Sequence, residues 1–332
     1  MKLSILDQSP IRVGGSAQQA LNETIALAKL AEQLGYYRFW VSEHHSSEGL
    51  AGSSPEILIT RLAAETSRIR IGSGGVMLPH YSPLKVAENF KVLEAMFPNR
   101  IDLGIGRAPG SDQLTAAALA YGNPYGSEYF PTKIADLQAF LLDQPTPTEA
   151  FRKVVCSPKI ETQPEMWMLG SSEDSAHFAA KFGLPYSFAY FINADIRPDI
   201  FDIYRREFKP SAFCQEPRTS LGIFMLCTDT EAEAERLAKS RDLWYLRFAQ
   251  QAGVPQIPSP EEGESYPYTP QEQAFINDNR RKMILGTPDK VAKKLRDIAN
   301  TFETEELVTV CITHSFEARC RSYELLANEF QL

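Results

Sequence analysis

A chain of 332 residues, 43% hydrophobic and 23% charged, has the composition of an ordinary globular protein and can bury a sizeable core. Its net charge of −8 argues against a general nucleic-acid or anionic-membrane surface, and no apolar run is long enough to span a bilayer. Cys156, Cys214, Cys227, Cys311 and Cys320 never form a CxxC, and Lys2-Leu3-Ser4-Ile5-Leu6 is no basic and apolar leader, so reduced thiols and a cytoplasmic location are expected.

Residues 3–6 read as a short first strand, followed by a loop at Gly14-Gly15. Leu21, Ile25, Ala28, Leu30 and Ala31 fall near one helical face, so a helix is expected over 20–34, stopped by Gly35. A second strand, 39–41, runs into Ser42-Glu43-His44-His45, and a helix over 55–65 follows. Residues 69–111 hold a strand–helix–strand unit. It comprises the β-branched run 69–71, a break at Gly72-Ser73-Gly74-Gly75, a helix opened by Ser82-Pro83 and a buried strand over 101–106. Val86, Phe90, Leu93 and Phe97 give that helix one apolar stripe.

The stretch 110–131 is rich in Gly, Ala and Tyr and reads as an excursion with a short helix before the helix 132–142. Residues 145–164, with several prolines, read as surface. A fifth strand, 166–169, leads into Gly170-Ser171-Ser172 and a helix over 173–182. A sixth strand near 185–189, a helix over 196–208, a seventh strand over 221–227 and a long helix over 231–251 come next. Proline and acidic residues dominate 253–270, expected to be a loop or lid. An amphipathic helix over 288–300, an eighth strand over 307–312 and a helix over 318–330 close the chain. Strands separated by helix crossovers pair in parallel. Eight of them, without a domain-sized linker, point to one (β/α)8 TIM barrel with loop insertions over 1–332. A doubly wound open sheet shares the alternation, but no GxGxxG follows the first strand.

Ligands bind such folds where the strands end, and three groups of residues sit there. Arg107 follows the fourth strand among Gly104, Gly106 and Gly110; its planar fork suits a phosphate, or else closes a surface ion pair. Gly170, Ser171, Ser172 and Ser175 open a helix, where free N–H groups make an anion site, or where the serines merely cap. Glu173 and Asp174 should then point outward, and Arg107 and the serines could converge on one phosphate. His44 and His45 follow the second strand and, as neighbours on extended chain, should point to opposite sides. Metal-binding, structural and catalytic readings are all open for them, but no HExxH spacing or third ligand supports a metal.

The run WVSEHH over 40–45, GGVMLPHYSPLKVAENFKVLEAMFPNRIDLGIGRAPGSD over 74–112, WMLGSSEDSAHFAAKFGLP over 167–185 and GTPDKVAKKL over 286–295 together resemble the bacterial luciferase-like flavin monooxygenases. The resemblance covers nearly the whole chain. It implies a barrel that binds FMN, with Arg107, Gly170, Ser171, Ser172 and Ser175 at the flavin phosphate. It places His44 beside the ring, oriented by Glu43 or His45, and a non-prolyl cis peptide at Gly74-Gly75 under it. It further implies a reduced flavin delivered by a separate reductase, activation of O2 toward a small organic substrate, and a homodimer using the helix 82–97. Light-emitting subunits carry a cysteine in place of Gly106 and a glutamate in place of Ser171, and these departures point away from aldehyde oxidation and light emission. A deazaflavin-dependent oxidoreductase and a non-catalytic flavin-binding protein are the alternatives.

Overall fold

The computed structural model describes residues 1–108, 110–122, 127–195, 198–250 and 253–332. Among these residues nine strands are formed: β1 (Lys2–Asp7), β2 (Arg38–Val41), β3 (Arg70–Met77), β4 (Ile101–Gly106), β5 (Glu165–Gly170), β6 (Tyr186–Ala189), β7 (Thr219–Cys227), β8 (Met283–Gly286) and β9 (Glu306–Val310). All pairings are parallel, and β1 to β7 with β9 close into an eight-stranded ring through β6–β7, β7–β9 and β9–β1. This is the (β/α)8 barrel expected from the alternation. Its strands are almost wholly buried because helices cover the outside and side chains fill the inside.

Three features depart from the sequence reading. The third strand does not end at Ile71 but runs through the glycines, with a bulge between Ser73 and Val76. The glycines are needed for close approach: a Cβ on Gly75 would lie 2.7 Å from the Gly104 carbonyl oxygen. The segment 253–270 includes the helix Pro260–Ser265, and a second helix, Pro270–Arg280, follows it. Short β8 lies beside β7 outside the ring. Of the helix 196–208, Ile196 and Arg197 lie outside the described residues, and the helix is formed over Asp199–Glu207. The apolar stripe of the helix Pro83–Met96 faces the molecule's own core, with Val86, Phe90 and Leu93 buried.

The N-terminal end of the barrel is closed by charge. Arg38, fully buried, reaches Asp102 Oδ2 (2.7 Å), Glu306 Oε1 (2.7 Å) and Glu165 Oε1 (3.2 Å). Arg70 bonds Asp102, and Arg218 bonds Glu165 at 2.8 Å, so three guanidinium groups meet three carboxylates. Burial alone would lower the Arg38 pKa, but the three carboxylates outweigh it and raise it. Despite its own burial, Glu165 is held down to about 2 by Arg38, Arg218 and Arg70. Two indoles sit against this layer: Trp40 Nε1 donates to Asp102 Oδ2 (2.9 Å), Trp167 Nε1 donates to Glu165 Oε1 (2.7 Å), and their rings pack edge to face at 5.5 Å. Removing one partner of such a buried pair strands the other charge. Asp102→Ala should therefore cost about 3–5 kcal/mol in urea unfolding; a loss under about 1 kcal/mol would show that the layer contributes little to stability.

Candidate active site

A cavity of about 450 Å³ opens at the C-terminal end of the barrel. Gly74, Gly75, Arg107, Gly170, Ser171, Ser172 and Ser175 all line it, so the barrel brings together residues up to a hundred positions apart. The Gly74-Gly75 peptide is cis. A Cβ on Gly74 would press on Leu6 and Trp40, whereas one on Gly106 would meet nothing within 4 Å. Gly106 thus leaves room that a side chain would occupy.

At one end of the cavity, Arg107 meets the start of the helix Glu173–Phe182. Its Nη1 lies 2.9 Å from Asp174 Oδ2, with side-chain exposures of 36% and 62%. Asp174 does lie at the surface, yet it bends back to Arg107. The Ser175 hydroxyl is buried, donating to the Ser172 carbonyl and bonded to the Tyr186 hydroxyl at 2.9 Å. Gly170 has no Cβ because Ser175 occupies that space. Ser171 and Ser172 remain half-buried at the cavity wall.

The two histidines diverge, as neighbours on an extended segment should. His44 Nδ1 pairs with Ser42 Oγ (3.0 Å), while His45 Nε2 pairs with Glu43 Oε1 (2.7 Å). Glu43 is fully engaged, accepting from the Tyr81 hydroxyl (2.6 Å) and the Met77 N–H (3.0 Å). Neither Glu43 nor His45 therefore orients His44; its hydrogen-bond partner is Ser42. His44 is not among the residues lining the cavity; the strand that carries Trp40 to the wall ends at Val41, three residues before it.

Residues 1–305 match the family described as luciferase-like monooxygenase. This chain belongs to the luciferase-like monooxygenase family. It is 48% identical over 330 residues to the uncharacterised protein YwcH of Bacillus subtilis, covering 99% of each chain. It is 36% identical over 331 residues to the N-acetyl-S-alkylcysteine monooxygenase of the same organism, covering 99% of this chain and 98% of the other. The crystal structure of apo-MsnO8 matches it with a TM-score of 0.91 at 39% identity, covering 100% of this chain and 98% of that one.

Sequence reasoning missed much of the wall of this luciferase-like site: Leu6, Trp40, Ser187, Phe191, Gly222 and Val308. One signal was available. Ser187 and Ser220 are polar residues in apolar strands, and they bond each other inside the barrel at 2.8 Å.

Burial lowers the His44 pKa to about 4 from its ordinary 6.5, with Glu43 opposing and His45 assisting. The ring is therefore neutral at pH 7. The unfolded chain takes up this proton near pH 6.5 and the folded chain only near 4, so the contribution is complete above 6.5 and is lost as pH falls through 4. The lost stability amounts to at most about 3 kcal/mol. His44→Gln should flatten urea midpoints between pH 7 and pH 4 relative to the wild type; parallel curves would mean that His44 titrates normally.

Proposed function

We propose that this protein is an FMN-dependent monooxygenase that takes reduced flavin from a separate reductase and oxidises a small organic substrate with O2. The observation that supports this reading best is the meeting of Arg107 and the N-terminus of the helix Glu173–Phe182 at one end of the cavity. A guanidinium fork and a helix N-terminus form a phosphate cradle, and Ser171 and Ser172 add hydroxyls beside it. The remaining cavity is walled by apolar side chains and glycines, which suits a flat ring, and its volume is in the usual range for cofactor sites. The residues therefore fit FMN.

When bound, reduced FMN supplies the electrons that activate O2. Arg107 and the serine segment fix the phosphate end, so the ring end is positioned by binding energy remote from the chemistry. Leu6, Trp40 and Phe191 exclude water from the other end. His44, held neutral, is an acceptor that can take or return a proton at its ring nitrogen, while Ser42 fixes the ring's orientation through Nδ1. Asp174 occupies Arg107 until an anion replaces it.

Arg107→Ala should weaken FMN binding by about 1.5–3 kcal/mol, the range for hydrogen bonds to charged groups. Asp174→Asn should strengthen it. Flavin fluorescence titration measures both; equal dissociation constants would sink the phosphate assignment, and binding of a deazaflavin with no binding of FMN would replace the cofactor.

The proposal includes a homodimer. The stripe of the helix Pro83–Met96 is committed to the core, so the interface must use its outer face, where Val92 and Met96 are exposed, together with Ile57 at 72% exposure on the helix Pro55–Glu65. Light scattering should return about twice the 37.2 kDa of the chain, and Ile57→Glu should return the single mass.

A further inference from the structure

We infer that Arg241, set behind Phe224 and the cavity residue Phe191, anchors a carboxylate of the organic substrate. This rests on reading the cavity as the reaction chamber, and it adds a substrate class to that reading. Arg241, on the helix Glu231–Gln250, is 1% exposed. Among the described residues, none of its Nε, Nη1 and Nη2 atoms has a hydrogen-bond partner. A buried guanidinium with all its donors unmet is among the costliest arrangements in a folded chain. The acid beside it in sequence lends its charge but no hydrogen bond, because the Asp242 oxygens are held by Arg280 through two bonds of 2.7 Å.

Its ring contacts connect it to the cavity wall. Gly222 and Val308 are paired across β7 and β9 and both line the cavity. Two residues further on, Phe224 and Val310 are paired in turn and so share the inward face. The Arg241 guanidinium carbon lies 4.4 Å from the centroid of the Phe224 ring and 5.2 Å from that of Tyr245. Phe224 in turn packs at 5.2 Å against Phe191, a cavity residue whose ring fills the space left by the missing side chain of Gly222. Two aromatic rings therefore separate the charge from the chamber. Stacking on ring faces offsets part of the charge but leaves the in-plane N–H donors free. A carboxylate entering past Phe191 and Phe224 would satisfy that fork with two parallel bonds. The phosphate cradle at Arg107 lies among different residues, at the ends of β4 and β5, so the two anion sites are separate.

The test is calorimetric titration of the full chain, free of flavin, with a panel of aliphatic and aromatic carboxylates and their primary amides. The wild type should bind at least one carboxylate roughly ten- to hundred-fold more tightly than its amide. Arg241→Met should erase that preference, and Arg241→Lys, which keeps the charge without the fork, should retain part of it. Arg241→Met should melt no lower than the wild type, since it removes an unpaired buried charge and keeps a long apolar stem. A wild type that binds no member of the panel, or a preference unchanged in Arg241→Met, overturns the inference. FMN titration of the same proteins separates the two readings. Normal FMN affinity alongside either negative result defeats the Arg241 assignment alone. Absence of FMN binding by the wild type defeats the reading of the chamber and leaves the flavin-free titration to decide Arg241.

Discussion

The barrel is organised around the guanidinium of Arg38. It is buried where a lone charge could not persist, and it is stable there because Asp102, Glu165 and Glu306 reach it from three other strands. Each strand contributes its charge near its N-terminal end, so the register of the ring and the neutrality of the layer are one condition. A slip of one residue would turn the carboxylate away from the interior. The same layer governs the ligand end through the indoles. Trp40 is two residues beyond Arg38 on the same face, is bonded to Asp102, and forms part of the cavity wall. The cavity floor is thus positioned by electrostatics at the opposite end of the barrel.

The cavity divides into regions of different physical character. One end is polar, with a half-exposed arginine, a helix N-terminus and serine hydroxyls. The centre is apolar and closely fitted at Gly74 and Gly75, where leucine, tryptophan or backbone occupies the positions of the missing side chains, and open at Gly106. Beside it, the Tyr81–Glu43–His45 group satisfies its own hydrogen bonds, and the His44 ring pairs with Ser42. A ligand with an anionic tail and a flat head matches this sequence of environments in one orientation only.

Much of this could be read from the amino-acid order, for identifiable reasons. The eight ring strands are apolar runs bounded by turn residues, and Arg107 and the serine segment are adjacent in space because both follow strands of a parallel barrel. β8 escaped notice because Met283, Ile284 and Leu285 are only three apolar residues between Lys282 and Gly286. Nothing local marks Arg38 as a buried charge, since its partners lie 64, 127 and 268 positions away. Arg241 sits in a helix dense in charge, Arg236 to Asp242, and nothing local marks it as the member without a partner. Side-chain pairing across the ring is a tertiary property, whereas strand existence is a local one.

The place of β8 has a consequence for how this scaffold can diversify. The ring closes by direct pairing of β7 with β9, with the helix Pro288–Thr301 packed into the core on the way to β9, so β8 and the helices Pro260–Ser265 and Pro270–Arg280 form an appendage tethered by β8 to β7. Appendages of this kind can lengthen or shorten at small entropic cost, because loop closure depends only weakly on length. The rim above β7 is therefore free to be rebuilt in descendants of this chain while the barrel beneath it, and the polar cradle on its far side, keep their geometry unchanged.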